Sequence, residues 1–227
     1  MKKGWQVALF ITLILLADQA LKVFIKTHYF LGEEHMVLGR FFRLHFVENP
    51  GMAWGWKFGG DWGKIVLTLF RLVAVILGIF YLRTIIKKKY HPGFIICAAL
   101  IFAGAAGNLI DSMFYGMIFN NSDYFVRNIA VMFPKGGGYA SFLHGQVVDM
   151  LYFPLIQSRF PAWVPVWGGQ DFEFFSPVFN LADASISTGV IAILLWQSKF
   201  FPKKEITEIN TSETTVVTGT PVVNENI

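Results

Sequence analysis

Three aspartates in this sequence each begin or end an apolar stretch. Asp111 closes the segment GAAGNLID, Asp149 follows two valines, and Asp183 closes the segment FNLAD. A carboxylate in such a setting is expensive to bury and is by default a candidate functional residue. Two carboxyl groups held together in a poorly solvated place do not both ionise, so one keeps its proton. Such a pair activates a water and protonates a carbonyl oxygen, which is the chemistry of peptide hydrolysis. We assign Asp149 and Asp183 as the candidate pair.

The same kinds of residue also have structural interpretations, and these stay open at this level. Asp18 and Lys22 are four residues apart with the acid first, the better order for an ion pair on a helix. Asn108 and Asp111 share a helix face with small residues, which favours a role in holding that helix against its neighbours. Asp183 is typical of a helix N-cap. The alternative function is a small proton-coupled transporter that uses its intramembrane aspartates.

Other hydrolytic mechanisms find little support in the residues. The five histidines are scattered and no His-Glu-x-x-His occurs, so a zinc protease is not indicated. No Gly-x-Ser-x-Gly is present, and the single cysteine, Cys97, lies inside an apolar run. A serine or cysteine nucleophile is therefore not indicated either.

The elements that must position these acids follow from the composition. Of 227 residues, 54% are hydrophobic and only 15% are charged, whereas about 25% are charged in ordinary soluble domains. Four apolar segments, residues 4–25, 65–86, 92–111 and 179–201, are each near the roughly 20 residues that cross a bilayer as a helix. The sequence therefore predicts an all-α membrane protein with four transmembrane helices.

Charge patterning predicts the orientation of these helices. Basic residues cluster in short segments beside alternate span ends, which places both termini in the cytoplasm and the two long loops outside. The net charge of +4 is explained by these segments and not by nucleic-acid binding. At about 1.5 Å per residue, Asp18, Asp111 and Asp183 lie about 21 to 28 Å from the inner boundary, at one outer level.

The loops and the carboxyl terminus complete the predicted organisation. Residues 41–47 alternate between apolar and polar side chains, which predicts a strand and a small extracytoplasmic β element in the first outer loop. The second outer loop is long and rich in aromatic residues, as expected at a lipid interface. Residues 1–201 form the predicted membrane domain, and residues 202–227 are polar and predict a disordered cytoplasmic tail.

Five segments occur in an order that resembles a known family. They read DQALK at residues 18–22, NPGMAWG at 49–55, GAAGNLID at 104–111, VVD at 147–149 and FNLAD at 179–183. Each segment is weakly specific by itself, but the ordered set resembles the bacterial lipoprotein signal peptidases, also called signal peptidase II. The resemblance extends over residues 5–201.

The resemblance implies a function and a set of site residues. It places the catalytic dyad on Asp149 and Asp183, and it implies a membrane aspartic endopeptidase. The positions that shape the site or bind substrate would be Asp18, Lys22, Asn49, Gly51, Asn108, Asp111, Asn180 and Ala182. The implied substrate is a prolipoprotein whose cysteine carries a diacylglyceryl group, cut just before that cysteine at the outer face of the bacterial cell (inner) membrane. No metal or organic cofactor is implied, the peptide antibiotic globomycin is the expected inhibitor, and we expect a monomer surrounded by membrane lipids.

The sequence departs from the family pattern at two places. The family usually has an arginine after the Asn-x-x-Asp element, and here that position is Ser112. Arg127, in the loop that follows, is a candidate replacement for this cation. The connection between the third span and Asp149 is also long, so residues 117–146 are interpreted as an insert. If the insert is a lid over the site, the three glycines at residues 136–138 are its hinge.

Overall fold

The computed structural model of this chain describes residues 2–50, 60–154, 156–174 and 177–201. Its helices in chain order are α1 (Lys2–His28), α2 (Gly60–Lys87), α3 (Pro92–Ile110), α4 (Gly116–Ile118), α5 (Leu181–Leu195) and α6 (Gln197–Phe200), and a π-helical turn (Asp111–Tyr115) joins α3 to α4. The predicted tail, residues 202–227, lies outside the described residues.

Three helical segments of the described chain are long and apolar enough to cross a membrane. They are Lys3–His28, Trp62–Lys87 and Pro92–Ile118. The fourth predicted span contains α5, which has only 15 residues before the helix is interrupted at Trp196. That length is below the roughly 20 residues that a full crossing requires. The count of four transmembrane helices therefore stays a prediction.

Helix α3 is the centre of the helical bundle, where it contacts α1, α2 and α5. Its glycines permit the closest of these approaches. A Cβ atom built at Gly104 would lie 2.2 Å from the backbone oxygen of Ala182, and one at Gly107 would lie 2.7 Å from Asp18 Oδ2. Because small residues let helix backbones approach within a membrane, this stripe fixes how α1 and α5 sit on α3.

The predicted all-α class is wrong, because the segments between the helices form two sheets. Strands β1 (Glu34–Leu38), β2 (Phe42–Asn49), β3 (Val147–Tyr152) and β6 (Val178–Phe179) make an antiparallel sheet in the order β1-β2-β3-β6. Strands β4 (Ile156–Arg159) and β5 (Asp171–Phe174) form a separate hairpin. Strand β2 covers residues 42–47 of the alternating stretch and continues to Asn49. Its partner β3 comes from the other long loop, a pairing that local alternation does not reveal.

Strand β3 turns alternate residues toward two different environments. Val148 and Met150 are fully buried in a hydrophobic cluster that also contains Phe46 and Ile25. Successive side chains of a strand point to opposite faces, so Asp149 projects away from this cluster. The register between β2 and β3 also shifts between Leu44 and Val47, the latter paired with Asp149. Bulges of this kind re-aim side chains and are common beside functional sites.

The predicted insert at residues 117–146 packs into this same cluster. Phe119 and Ala130 are buried there. Ser122 hydrogen-bonds Glu48, whose carboxylate also pairs with the buried ammonium of Lys26 on α1. In the glycine run, a Cβ atom at Gly138 would lie 2.1 Å from the backbone oxygen of Gly116. The insert is thus joined to α1 and β2 by buried contacts, while its proposed lid motion stays a prediction.

We expect Phe119→Ala to destabilise the protein by about 3–5 kcal/mol, because it removes a fully buried aromatic ring and leaves a cavity. The measurement is equilibrium unfolding in detergent micelles. The matched control is Phe125→Ala, since Phe125 is 93% exposed on the same insert, and its unfolding should match that of the unmodified protein. Equal stabilities for the two variants would contradict the packing of the insert described above.

We expect Gly104→Ala to lower the free energy of unfolding by about 1–3 kcal/mol, because the added methyl group overpacks the contact between α3 and α5. Helix propensity alone would favour alanine over glycine by about 1 kcal/mol. A decrease in the free energy of unfolding would therefore report steric overlap between the added methyl group and α5. Gly4→Ala is the control, since a Cβ atom at Gly4 meets nothing within 4 Å. A stabilised Gly104→Ala variant would contradict the close approach of the two helices.

Candidate active site

Two asparagines connect the carboxyl groups of Asp149 and Asp183. Asn180 Nδ2 donates to Asp149 Oδ1 at 2.6 Å and to Asn108 Oδ1 at 3.2 Å. Asn108 Nδ2 donates in turn to Asp183 Oδ1 at 2.7 Å. Because the amide groups lock both carboxyl groups in place, the candidate pair is held by side chains from α3 and from the start of α5. The structure therefore brings together the two aspartates that the sequence singled out.

Asp149 is the less solvent-exposed carboxyl group of this pair. Its side chain is 3% exposed, whereas Asp183 is half-buried. Burial raises the pKa of the Asp149 carboxyl to about 7, and the negative charge of Asp183 acts in the same direction. Hydrogen bonds from Asn49 and Asn180 oppose this rise, the first from Asn49 Nδ2 to Asp149 Oδ2 at 3.2 Å. Burial therefore favours the protonated form of Asp149.

The Lys22 ammonium lies fully buried beside the pair and has a separate set of partners. Lys22 Nζ is 2.9 Å from Asp18 Oδ2, 2.6 Å from Asp111 Oδ2 and 3.0 Å from Asn108 Oδ1. The two carboxylate contacts are ion pairs, and the contact with Asn108 is a hydrogen bond. The i,i+4 ion pair between Asp18 and Lys22 that the sequence suggested is thus present. Lys22 also pairs with a second carboxylate, Asp111, which directly follows α3.

The first turn of α5 is fixed from two sides. Asn180 is its N-cap, with Oδ1 accepting from the Asp183 backbone N–H at 2.9 Å, so Asp183 is not itself the cap that its sequence position allowed. Asp18 Oδ1 accepts a hydrogen bond of 2.9 Å from the Ala182 backbone N–H. A carboxylate near a helix N-terminus also interacts favourably with the helix dipole. These contacts set the direction in which Asp183 leaves the helix.

Several polar residues of the site were missed by the sequence analysis. Gln19 Nε2 donates to Asp111 Oδ1 at 2.8 Å, and Gln19 Oε1 accepts from the Tyr115 hydroxyl at 3.1 Å. Ser112 Oγ accepts from the Arg71 guanidinium at 2.9 Å. Gln19 lies inside the DQALK segment, and Arg71 is a charge within an apolar span. Both features are visible in the sequence. A charged residue within an apolar span, such as Arg71, is rare in membrane proteins and is by default a candidate functional residue.

Two predicted positions remain, and only one of them lies in the part of the chain that the structure describes. Gly51 lies outside the described residues. Arg127 is exposed, and its guanidinium stacks over the Phe30 ring at 5.0 Å. The suggestion that Arg127 replaces the cation at position 112 is therefore not supported by its surroundings, since Ser112 contacts Arg71 instead.

The site places a carboxyl group of raised pKa near a second carboxyl group. Among residues 2–50, 60–154, 156–174 and 177–201, no group of three or more His, Cys, Asp or Glu residues has an arrangement that could hold a metal ion. A carboxyl group with a pKa near 7 beside a second carboxyl group suits general acid and base chemistry at neutral pH.

Comparisons with known proteins agree on one family. The sequence pattern of the signal peptidase (SPase) II family matches residues 10–200. A lipoprotein signal peptidase of Porphyromonas gingivalis is 49% identical over 194 residues, which cover 85% of this chain and 83% of the relative. A lipoprotein signal peptidase of Amoebophilus asiaticus is 36% identical over 219 residues, covering 93% of this chain and 87% of the relative.

A solved structure supports the same fold. A bacterial membrane enzyme determined by the in meso method at 2.3 Å resolution superposes with a TM-score of 0.54 at 24% sequence identity. The superposition covers 88% of this chain and 93% of the other. With a family match that spans most of the sequence, three apolar helices long enough to cross a bilayer and a membrane enzyme of similar fold, this chain belongs to the signal peptidase II family of bacterial membrane proteases.

Proposed function

We propose that this chain is a membrane aspartic endopeptidase that removes the signal peptide from diacylglyceryl-modified prolipoproteins, cutting just before the lipidated cysteine. The observation that carries the proposal is the pairing of Asp149 and Asp183 through Asn108 and Asn180. The name of the relatives from Porphyromonas gingivalis and Amoebophilus asiaticus, lipoprotein signal peptidase, supports the substrate class.

In the proposed mechanism the two aspartates exchange roles during the reaction. The Asp183 carboxylate takes a proton from water, whose oxygen attacks the scissile carbonyl carbon, while protonated Asp149 donates its proton to the carbonyl oxygen. When the tetrahedral intermediate collapses, Asp183 returns its proton to the leaving nitrogen and Asp149 recovers one from the hydroxyl. The pKa of Asp149, raised to about 7 by burial, suits the acid role near neutral pH.

The other predicted site residues receive positioning roles in this proposal. Asp18, Lys22 and Asp111 fix α1 against α3, and Ala182 keeps the approach beside Asp183 narrow. Asn49 would hold Asp149, and Gly51 is proposed to contact substrate in the segment that follows. The alternative function, a proton-coupled transporter, is not favoured. The aspartates form one connected cluster at one proposed membrane depth, whereas a proton relay would extend across the bilayer.

The topology belongs to the same proposal. We place both termini in the cytoplasm, α5 as a fourth transmembrane helix, and the dyad at the outer face of the bacterial cell membrane. Residues 1–201 would form one membrane domain, with residues 117–146 as an insert and residues 202–227 as a tail. The lipid chains of the substrate would remain in the bilayer. The proposed reaction requires no metal, organic cofactor or nucleic acid. We expect the protein to act as a monomer.

We expect Asp149→Asn and Asp183→Asn each to lower cleavage of a diacylglyceryl-modified prolipoprotein by about 10²- to 10⁴-fold, because each removes one proton-transfer group. The measurement is the rate of signal-peptide release by purified protein in detergent. Asp171→Asn makes the same change at a carboxylate that is 85% exposed on the β4–β5 hairpin, and it should leave the rate unchanged. Cleavage that survives in both dyad variants would disprove the assignment.

We expect kcat/KM to fall as the pH rises through about 7, since Asp149 loses the proton that the reaction requires. Asn49→Ala removes a hydrogen bond that favours the charged form of Asp149. That change should raise the pKa of Asp149 further and move the alkaline limb of the pH profile to higher pH. An alkaline limb that moves to lower pH, or stays in place, would contradict the role of Asp149 as the acid.

A further inference from the structure

Arg71 is a charged residue in the middle of an apolar helix. It lies within the candidate span Trp62–Lys87, about 14 Å along α2 from the start of that span at about 1.5 Å per residue. An arginine at such a depth is expensive, and in membrane proteins it faces the bundle interior and has identifiable partners. The proposed mechanism above gives Arg71 no role.

The contacts of Arg71 lead directly to the dyad. Its guanidinium NH1 group donates to Ser112 Oγ at 2.9 Å, and Ser112 is only 2% exposed. Ser112 Oγ donates in turn to the backbone oxygen of Asn108 at 2.9 Å. The side-chain amide of Asn108 is the donor to Asp183. A single serine therefore separates Arg71 from the residue that holds Asp183.

Arg71 and Lys22 differ in the carboxylate that attracts each of them most strongly. Electrostatic attraction on Arg71 comes first from Asp183, and then from Asp111 and Asp149. Lys22 forms ion pairs with Asp18 and Asp111 and a hydrogen bond with Asn108, and these close contacts do not include the dyad. Arg71 is thus the cation whose strongest partner among the carboxylates is Asp183.

The charged groups around Asp183 come from every element packed on the site. They are Asp18 and Lys22 from α1, Arg71 from α2, Asp111 from the π-helical turn and Asp149 from β3. With Asp149 protonated, three carboxylates face two cations. Removal of Arg71 would leave Lys22 to balance three negative charges, and Asp183 would lose the attraction of this cation.

We propose that Arg71 is a positioning residue that keeps Asp183 ionised and thereby directs the dyad proton to Asp149. The inference rests on the proposed dyad. Two nearby carboxyl groups compete for one proton, and an adjacent cation favours the charged form of the group it faces. Arg71 therefore separates the base from the acid. Ser112 fixes the guanidinium at the correct place, because its hydroxyl is buried and bonded on both sides.

The activity test compares variants at positions 71 and 112. We expect Arg71→Gln to lower kcat/KM by about 10²-fold, the scale for one lost electrostatic contact in an active site, and to move the acid limb of the pH profile to higher pH. Arg71→Lys keeps a positive charge and should keep the acid limb in place. In the double variant Arg71→Ala/Ser112→Arg, a cation re-enters from the neighbouring position, and activity should rise at least about tenfold above Arg71→Ala.

The matched control is Arg83→Gln, since Arg83 is an exposed residue of the same helix, and its pH profile should equal that of the unmodified protein. A lowered rate for Arg71→Gln with an unmoved acid limb would show a merely structural role and would overturn the proposal. An Arg71→Gln variant with full activity would overturn it as well.

A second measurement does not depend on cleavage. The infrared carboxyl band of Asp183 is obtained by subtracting the spectrum of the Asp149→Asn/Asp183→Asn protein from the spectrum of the Asp149→Asn protein. Adding Arg71→Gln to both should make Asp183 take up its proton at a higher pH, and an unchanged titration would overturn the proposal. If the unmodified protein fails to cleave the prolipoprotein, the proposed function fails, and this titration still decides the role of Arg71.

Discussion

The buried ammonium of Lys22 is the interaction on which the rest of this structure depends. A buried charge is tolerated only when its partners are close and correctly oriented, and here the partners are Asp18 on the same helix and Asp111 at the end of α3. Moving α1 away from α3 would leave the buried Asp111 carboxylate without its ion-pair partner. The pairing therefore fixes the rotation and height of α1 against α3. Since Asp18 also accepts from the Ala182 backbone, the same cluster sets the start of α5.

The candidate site lies where this helical cluster meets the sheet. Asp183 is delivered by the first turn of α5, whereas Asp149 is delivered by β3, whose opposite face is buried in the core through Val148 and Met150. Asn180 spans the two, because it caps α5 and donates to Asp149. Each carboxyl group thus stands on a rigid element, and side-chain amides fix the distance between them. The proposed proton transfer would require this kind of support, since small displacements of a catalytic group greatly lower the rate.

The outer surface of the helices has the opposite character. In the most apolar windows of the first two candidate spans, only 17% and 11% of the residues are buried, and their exposed side chains are mainly leucine, isoleucine, valine and phenylalanine. Such surfaces are stable in lipid and not in water. In the third candidate span the corresponding share is 56%, as expected for the helix that the others surround. Its buried polar residues Asn108, Asp111 and Ser112 lie in one short stretch beside Lys22 and Asp183.

The sequence by itself predicted a membrane protein with four apolar spans, of which three are long enough in the structure to cross a bilayer, an alternating stretch that largely overlaps β2, and Asp149 and Asp183 as the candidate pair. Those features are local, since composition, alternation and short segments are read within about 20 residues. Only the tertiary structure decided that β2 pairs with β3 across about a hundred residues of chain, that Asn180 and not Asp183 caps α5, and that Arg71 contacts Ser112. The physical reason is that hydrogen bonds and ion pairs between distant segments depend on how the helices pack, and no periodicity within one segment encodes the identity of its partner.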